Sequence, residues 1–344
     1  MGQLVAVFGA YGHTGRFVVA ELRERGFVPL LLGRDAARLA TVAAAHPGVE
    51  QRVVPVGEPA SLDRALTGAG AVINCAGPFA ATAAPVVEAA LRAGIPYVDV
   101  AAEIEANRDT FAHFGARAGA AGVAVVPAMA FFGGLGDLLV TAAMAEWVAA
   151  DEVHVAYGLS SWHPTAGTLA SGAVSRQRRD GRRVRYTGGR LEYPLDEGGL
   201  PILEWEFPAP LGRRNVLGEF TMADVVTVPS HLAVSEVRTY MTTEAAGDLA
   251  APDATAPTAV DERGRSAQTF TVDVVVRRGD LRRRVTAHGR DIYAVSAPLA
   301  VEAVARILDG RTRTTGVASA GAIFDAPDFL RALAPHLRVE HGRE

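Results

Sequence analysis

The chain has 344 residues, 49% of them apolar and 21% charged, which is material for roughly two packed domains. Its formal net charge of −4 comes without a basic stripe and disfavours nucleic acid as a partner. The lone Cys75 excludes an internal disulfide and a cysteine-based zinc site, and all 34 basic side chains are arginine, so Schiff-base chemistry, a Tyr-x-x-x-Lys relay and a Walker P-loop are excluded as well.

In chain order, residues 3–8 form a short apolar run ending at Gly9, the pattern of a buried parallel strand. Residues 14–25 place Phe17, Val18 and Leu22 on one helix face and stop at Gly26. Strands follow at 28–32, 51–56, 71–75, 97–100 and 123–126. Helices alternate with them at 35–45, 61–66, 82–93 and 104–120. About six strands alternating with helices predict a Rossmann-type doubly wound parallel sheet over residues 1–130. No basic leader precedes the first strand, and the longest uncharged run, 118–136, contains Pro127 and several glycines. We expect neither a signal peptide nor a membrane span, and a cytoplasmic protein.

The pattern changes near residue 150. Longer, often alternating strands are predicted at 153–159, 183–186, 225–228, 236–242, 270–277 and 282–289, a mixed or antiparallel sheet in a second α+β domain over 131–292. Residues 245–268 read as a surface loop, and helices are expected at 297–308 and 327–337.

Gly9-Ala-Tyr11-Gly12-His13-Thr14-Gly15-Arg16 lies between the first strand and the first helix. Gly9 permits a tight turn, Gly12 lets backbone approach a pyrophosphate, and Gly15 lets helix pack on strand. The helix N-terminus offers unpaired N–H groups to the anion. The second strand ends in Gly33-Arg34-Asp35, with Arg38 one turn on. A guanidinium there suits the 2′-phosphate of NADP, and Asp35 is free to cap the next helix. Asn74, Ala76, Gly77, Pro78 and Phe79 follow the fourth strand, where a nicotinamide ribose would lie. Glu103, after the fifth strand, is a further cofactor contact or a helix-terminal charge. Candidate proton donors are His163, Tyr293 and His231, with Thr168 and Ser171 as substrate-binding hydroxyls. The sequence offers no metal constellation.

These segments together (GAYGHTGR, LLLGRD, VINCAGPF, YVDVAAE and VPAMAFFGGLGD) resemble the saccharopine dehydrogenase-like oxidoreductases, and within them the trans-acting enoyl reductase branch. The resemblance implies NADP(H) as cofactor and a C-terminal segment, 293–340, returning to the first domain. It also implies a homodimer, and reduction of an activated C=C or C=N bond in a small or carrier-bound metabolite. Two departures stand out: Gly57 replaces an acidic residue after the third strand, and the loop 130–137 lacks the family's Asp-Ser pair. The alternative is a non-catalytic, NADP-binding redox-sensing regulator, against which the large second domain argues.

Overall fold

The computed structural model describes residues 2–195 and 198–342. The first half is built from β1 (Leu4–Phe8), α1 (His13–Glu24), β2 (Val28–Gly33), α2 (Ala36–Ala45), β3 (Glu50–Val53) and α3 (Pro59–Leu66). It continues with β4 (Ala71–Asn74), α4 (Phe79–Ala93), β5 (Tyr97–Asp99), α5 (Ile104–Ala121) and β6 (Ala124–Val126). These strands pair in parallel in the order β3-β2-β1-β4-β5-β6. The strand order reverses between β1 and β4, so the crevice above their carboxyl ends is the place where such a sheet binds a ligand.

Local chemistry explains the boundaries. β1, β2 and β4 are apolar runs because helices cover both faces of the sheet. α4 and α5 end at Gly94 and Gly122, each in the left-handed conformation with φ of 65°. Asp35 caps α2, its carboxylate accepting from the Arg38 amide.

After β6 the chain makes a π-type turn (Phe131–Leu135) into α6 (Gly136–Met144). Then come β7 (Ala149–Leu159), α7 (Ala166–Arg178), β8 (Arg185–Thr187), β9 (Arg190–Glu192), β10 (Ile202–Glu206) and β11 (Arg213–Gly218). Next are α8 (Asp224–Thr227), β12 (Ala233–Thr242), α9 (Thr243–Ala250), β13 (Thr269–Arg278) and β14 (Leu281–Arg290). The chain closes with α10 (Ser296–Leu308), β15 (Gly316–Val317), α11 (Ala320–Ile323), α12 (Ala326–Ala332) and β16 (Leu337–His341).

The second sheet has nine strands. Seven run in the order β10-β11-β12-β7-β13-β14-β16, and β8 and β9 join beside β12. It is mixed, as expected: β7 and β12 pair in parallel and the other pairs are antiparallel. Its inner face packs on α6, and Phe131, Phe132, Tyr157 and Phe270 form an aromatic cluster there, with ring centroids 4.8–5.4 Å apart.

The C-terminal segment divides: α10 and β15 reach the first domain, whereas α11 and α12 pack on α6 and β16 pairs with β14 in the second sheet. β15 adds a seventh strand beside β6, and α10 packs along α1. Arg25, at the end of α1, meets Glu302 of α10 at 2.5 Å, and the buried Arg306 is held by Glu302 at 2.6 Å and Asp328 at 2.8 Å. A buried guanidinium survives only with such partners, so either carboxylate's loss would strand a charge.

Several expectations fail in the second half. Residues 225–228, expected as a strand, are the helix α8 and a following 3-10 turn; the Val-rich run is short and sits between buried Asp224 and Pro229. The expected loop 245–268 begins inside α9, and the helix at 327–337 ends at Ala332. α7, β9, β10, β11, β15 and β16 were not anticipated. α7 shows why: only Ser175 of its residues is buried, so it has no apolar face to reveal it. Among the described residues no helix is long and apolar enough to cross a membrane.

Candidate dinucleotide site

The glycine loop is shaped by backbone crowding. Gly9 has φ of 84°, and a Cβ on it would lie 2.9 Å from the Ala76 amide. A Cβ on Gly15 would collide with the Gly9 carbonyl, so the third glycine lets α1 close on β1. Gly12 caps α1, its amide donating to Gly9 O at 2.9 Å. The next three amides, of His13, Thr14 and Gly15, have no acceptor among the described residues. Three aligned free N–H groups at the positive end of a helix are what a pyrophosphate requires.

Arg34 and Arg38 are exposed at the end of β2 and make no ion pair with a described residue. Asp35, the carboxylate adjacent to Arg34 in sequence, is committed to the α2 cap. The Arg38 guanidinium lies 4.4 Å over the Tyr11 ring. Beyond β3, Gly57 offers no side chain, and Glu58 accepts from Ser61 Oγ at 2.8 Å. The adenosine end of the site is thus cationic, and the residues present fit a dinucleotide with an extra phosphate. We expect Arg34→Ala to weaken NADPH by about 10- to 100-fold, the worth of a charge-assisted contact, and NADH far less. Equal losses in a fluorescence titration would refute the 2′-phosphate assignment.

At the end of β4 the expected residues divide. Asn74 does not face the crevice. It is fully buried, donating to Tyr97 OH at 3.1 Å and Thr82 at 3.3 Å and accepting from the Ala76 amide. It therefore shapes the Ala76-Gly77-Pro78-Phe79 turn from behind. Glu103 likewise spends both oxygens on the start of α4, accepting from the Phe79 amide at 2.6 Å and the Ala80 amide at 3.0 Å. Its expected cofactor contact gives way to a helix cap, made on α4 rather than on α5. Asp99 is also interior: burial lifts its pKa to about 6 against the bonds it accepts from Ala101, Ala128 and Tyr97. Burial pushes the Cys75 thiol far above its usual range, so it is an inert apolar group.

Over Gly77 lies α7. A Cβ on Gly77 would come within 2.8 Å of Ser171 Oγ. The helix is tied to the first domain by polar contacts: Ser175 and Arg179 hold the buried Glu105, and Arg178 pairs with Asp109 at 2.6 Å.

The three expected proton donors separate. Tyr293 reaches the glycine loop, its ring edge-on to His13 at 5.2 Å. Its hydroxyl accepts from Trp162 Nε1 at 3.2 Å and the Thr165 amide at 3.3 Å, and shares a hydrogen with Thr168 at 3.0 Å. Burial raises its pKa. Burial lowers the pKa of His13 against the attraction of Asp291, and its buried Nε2 has no hydrogen-bond partner among the described residues. His163 turns its exposed side chain into a pocket of about 260 Å³ with Ser160, Ser161 and Gln268, which no glycine-loop residue lines. Only its carbonyl meets Tyr293. His231 is placed elsewhere: it is part-buried, with Nε2 2.7 Å from the fully buried Asp137, whose other oxygen accepts from the Gly321 amide. Burial opposes its charge, yet Asp137 prevails and raises its pKa.

Sequence reasoning missed the Tyr11–Arg38 stack and the buried Tyr157–Asp224 pair, whose bonds are 2.9 and 2.8 Å. Gly33 directly before Arg34 was the available signal for the first. For the second there was none.

Comparisons agree with this geometry. Residues 5–126 match the family model described as the saccharopine dehydrogenase NADP binding domain. A probable mitochondrial saccharopine dehydrogenase-like oxidoreductase of Arabidopsis thaliana is 32% identical over 142 residues, covering 37% of this chain and 31% of the relative. The human saccharopine dehydrogenase-like oxidoreductase is 29% identical over 117 residues, covering 29% and 27%. The chain thus spans under a third of the length of the curated relatives it matches. In fold it is similar to apo saccharopine dehydrogenase (L-Glu forming) from Saccharomyces cerevisiae, at TM-score 0.67 and 12% identity over 99% of this chain and 100% of that one. Residues 5–126 are therefore an NADP-binding domain of the kind described for saccharopine dehydrogenase, and over that part the chain is similar to saccharopine dehydrogenase-like oxidoreductases.

Proposed function

We propose that the chain is an NADP-dependent oxidoreductase that reduces an activated C=C or C=N bond of a small or carrier-bound metabolite. The observation that carries this reading is the convergence of a pyrophosphate-ready helix start, two uncompensated arginines and a hydroxyl cluster from the second domain on one crevice. Bound nicotinamide supplies the hydride; the protein must position both partners, exclude water and provide one proton.

In this scheme the amides of His13, Thr14 and Gly15 hold the pyrophosphate, and Arg34 and Arg38 the 2′-phosphate. The Ala76-Gly77-Pro78-Phe79 turn would border the nicotinamide half at one side, next to α7, whose Ser171 lies against Gly77. The linked hydroxyls of Tyr293, Thr168 and Thr165 form a short proton path beside it. A phenol is already protonated at neutral pH, and burial raises the Tyr293 pKa further. The enoyl specificity follows the resemblance of the first domain. The altered loop at 130–137 supplies Phe131 and Phe132 to the aromatic cluster, and the Phe132 ring lies tilted against Trp162 at 5.1 Å.

The test is NADPH oxidation at 340 nm across enoyl thioesters, enones and cyclic imines. We expect turnover with one class, and Tyr293→Phe lowering kcat by about 10- to 100-fold with NADPH affinity little changed. Tight NADPH binding with no turnover on any class would favour the redox-sensing regulator instead.

A further inference from the structure

Arg38 differs from Arg34 in being fixed at both ends. Its amide is tied to Asp35 Oδ1 at 3.0 Å, and its guanidinium rests 4.4 Å over the Tyr11 ring. The ring in turn lies on bare backbone. A Cβ on Gly33 would come within 2.5 Å of Tyr11 Cε1, 3.2 Å of Cδ1 and 3.3 Å of Cζ. Gly33 is not among the residues of positive φ. Its conformation suits any residue, so glycine stands there to admit the ring.

We propose that Tyr11 is a positioning residue for cofactor choice: seated on Gly33, it holds the Arg38 guanidinium in place for the 2′-phosphate of NADP. This rests on the NADP-dependent reading above and deepens it.

The physics is preorganisation. An exposed arginine samples many rotamers and loses that freedom when it grips an anion. Resting on an aromatic face orders the guanidinium beforehand without using its N–H donors, which stay free at the edge of the guanidinium plane for phosphate oxygens. A carboxylate partner would also order it but would neutralise its charge. At this position Asp35 is turned away into the α2 cap. The three positions divide the work: residue 33 is small so that residue 11 fits, and residue 11 is aromatic so that residue 38 stays oriented. A ring that merely filled space would be seated in the core, whereas Tyr11 is half-buried with a cation on its face.

The test measures dissociation constants for NADPH and NADH by fluorescence titration. Tyr11→Leu should lower the NADPH-over-NADH preference by about three- to tenfold, with little change for NADH. Tyr11→Phe, which keeps the ring, should retain the preference. Arg38→Ala should lower it, and adding Tyr11→Leu should cost nothing more, because the ring acts only through that guanidinium. Gly33→Ala, which pushes the ring off its seat, should mimic Tyr11→Leu. Intact preference in Tyr11→Leu, or equal damage from Tyr11→Phe, overturns the proposal while leaving the NADP reading standing. Absence of any NADPH preference in the unmodified chain overturns both.

Discussion

Gly12→Val is expected to abolish NADPH binding, by more than about 100-fold, in a protein that still folds. Gly12 caps α1 with φ of −66° and ψ of 165°, an extended conformation that valine adopts readily. The Cβ itself is tolerable, 3.1 Å from Gly9 O and 3.8 Å from Cys75 O. The two methyl groups beyond it are not, because they stand before the free amides of His13, Thr14 and Gly15, where the pyrophosphate must come. Gly15→Val is the contrasting control. Its Cβ would strike the Gly9 carbonyl and part α1 from β1, so folding itself fails. Calorimetry for binding and thermal melting for the fold separate the two. A Gly12→Val protein that binds NADPH normally would remove the glycine loop from the site.

The second large effect is on stability. Asp224 is fully buried, and burial raises its pKa to about 7 although both its oxygens accept from Tyr157 OH. Its folded pKa thus exceeds the unfolded value, so the native state holds the proton more tightly. That stability is present below about pH 4 and is lost as pH rises through about 7. Asp99, raised to about 6 by burial, acts in the same direction over a slightly lower range. His231, raised by Asp137, adds a further loss above the ordinary histidine range. Asp224→Asn keeps the shape and removes the charge. It should match the unmodified protein within about 1 kcal/mol at pH 4 and exceed it by roughly 2–4 kcal/mol at pH 8. Urea unfolding at the two pH values measures this. A variant less stable at pH 8 would mean that the ionised carboxylate is favoured in the fold.

The legible part of the sequence was the part whose structure is local. Strands β1, β2 and β4 announced themselves as apolar runs. The helices between them showed a spaced apolar face, and Gly94 and Gly122 marked helix ends. The glycine loop was equally plain, because tight turn, anion approach and helix packing fall within seven residues. The second sheet was visible as a kind but not in detail. α7 has almost no buried residue, and its hold on the molecule comes from Glu105 and Asp109, some 70 residues earlier. No periodicity reports such contacts. The same limit applied within the site. His231 was singled out by residue type, yet a core carboxylate claims it. Glu103 was placed at the cofactor by its position after β5, but unpaired amides at the start of α4 lie nearer. Tyr11, Gly33 and Arg38 make one device from three strand and helix ends, and that convergence becomes visible only in space.

The measurement that bears most directly on this account is calorimetric titration of the purified chain with NADPH and, separately, with NADH. The account predicts one NADPH site per chain, with NADH at least about tenfold weaker. A folded protein that takes up neither dinucleotide, or takes up NADH as tightly as NADPH, would contradict it.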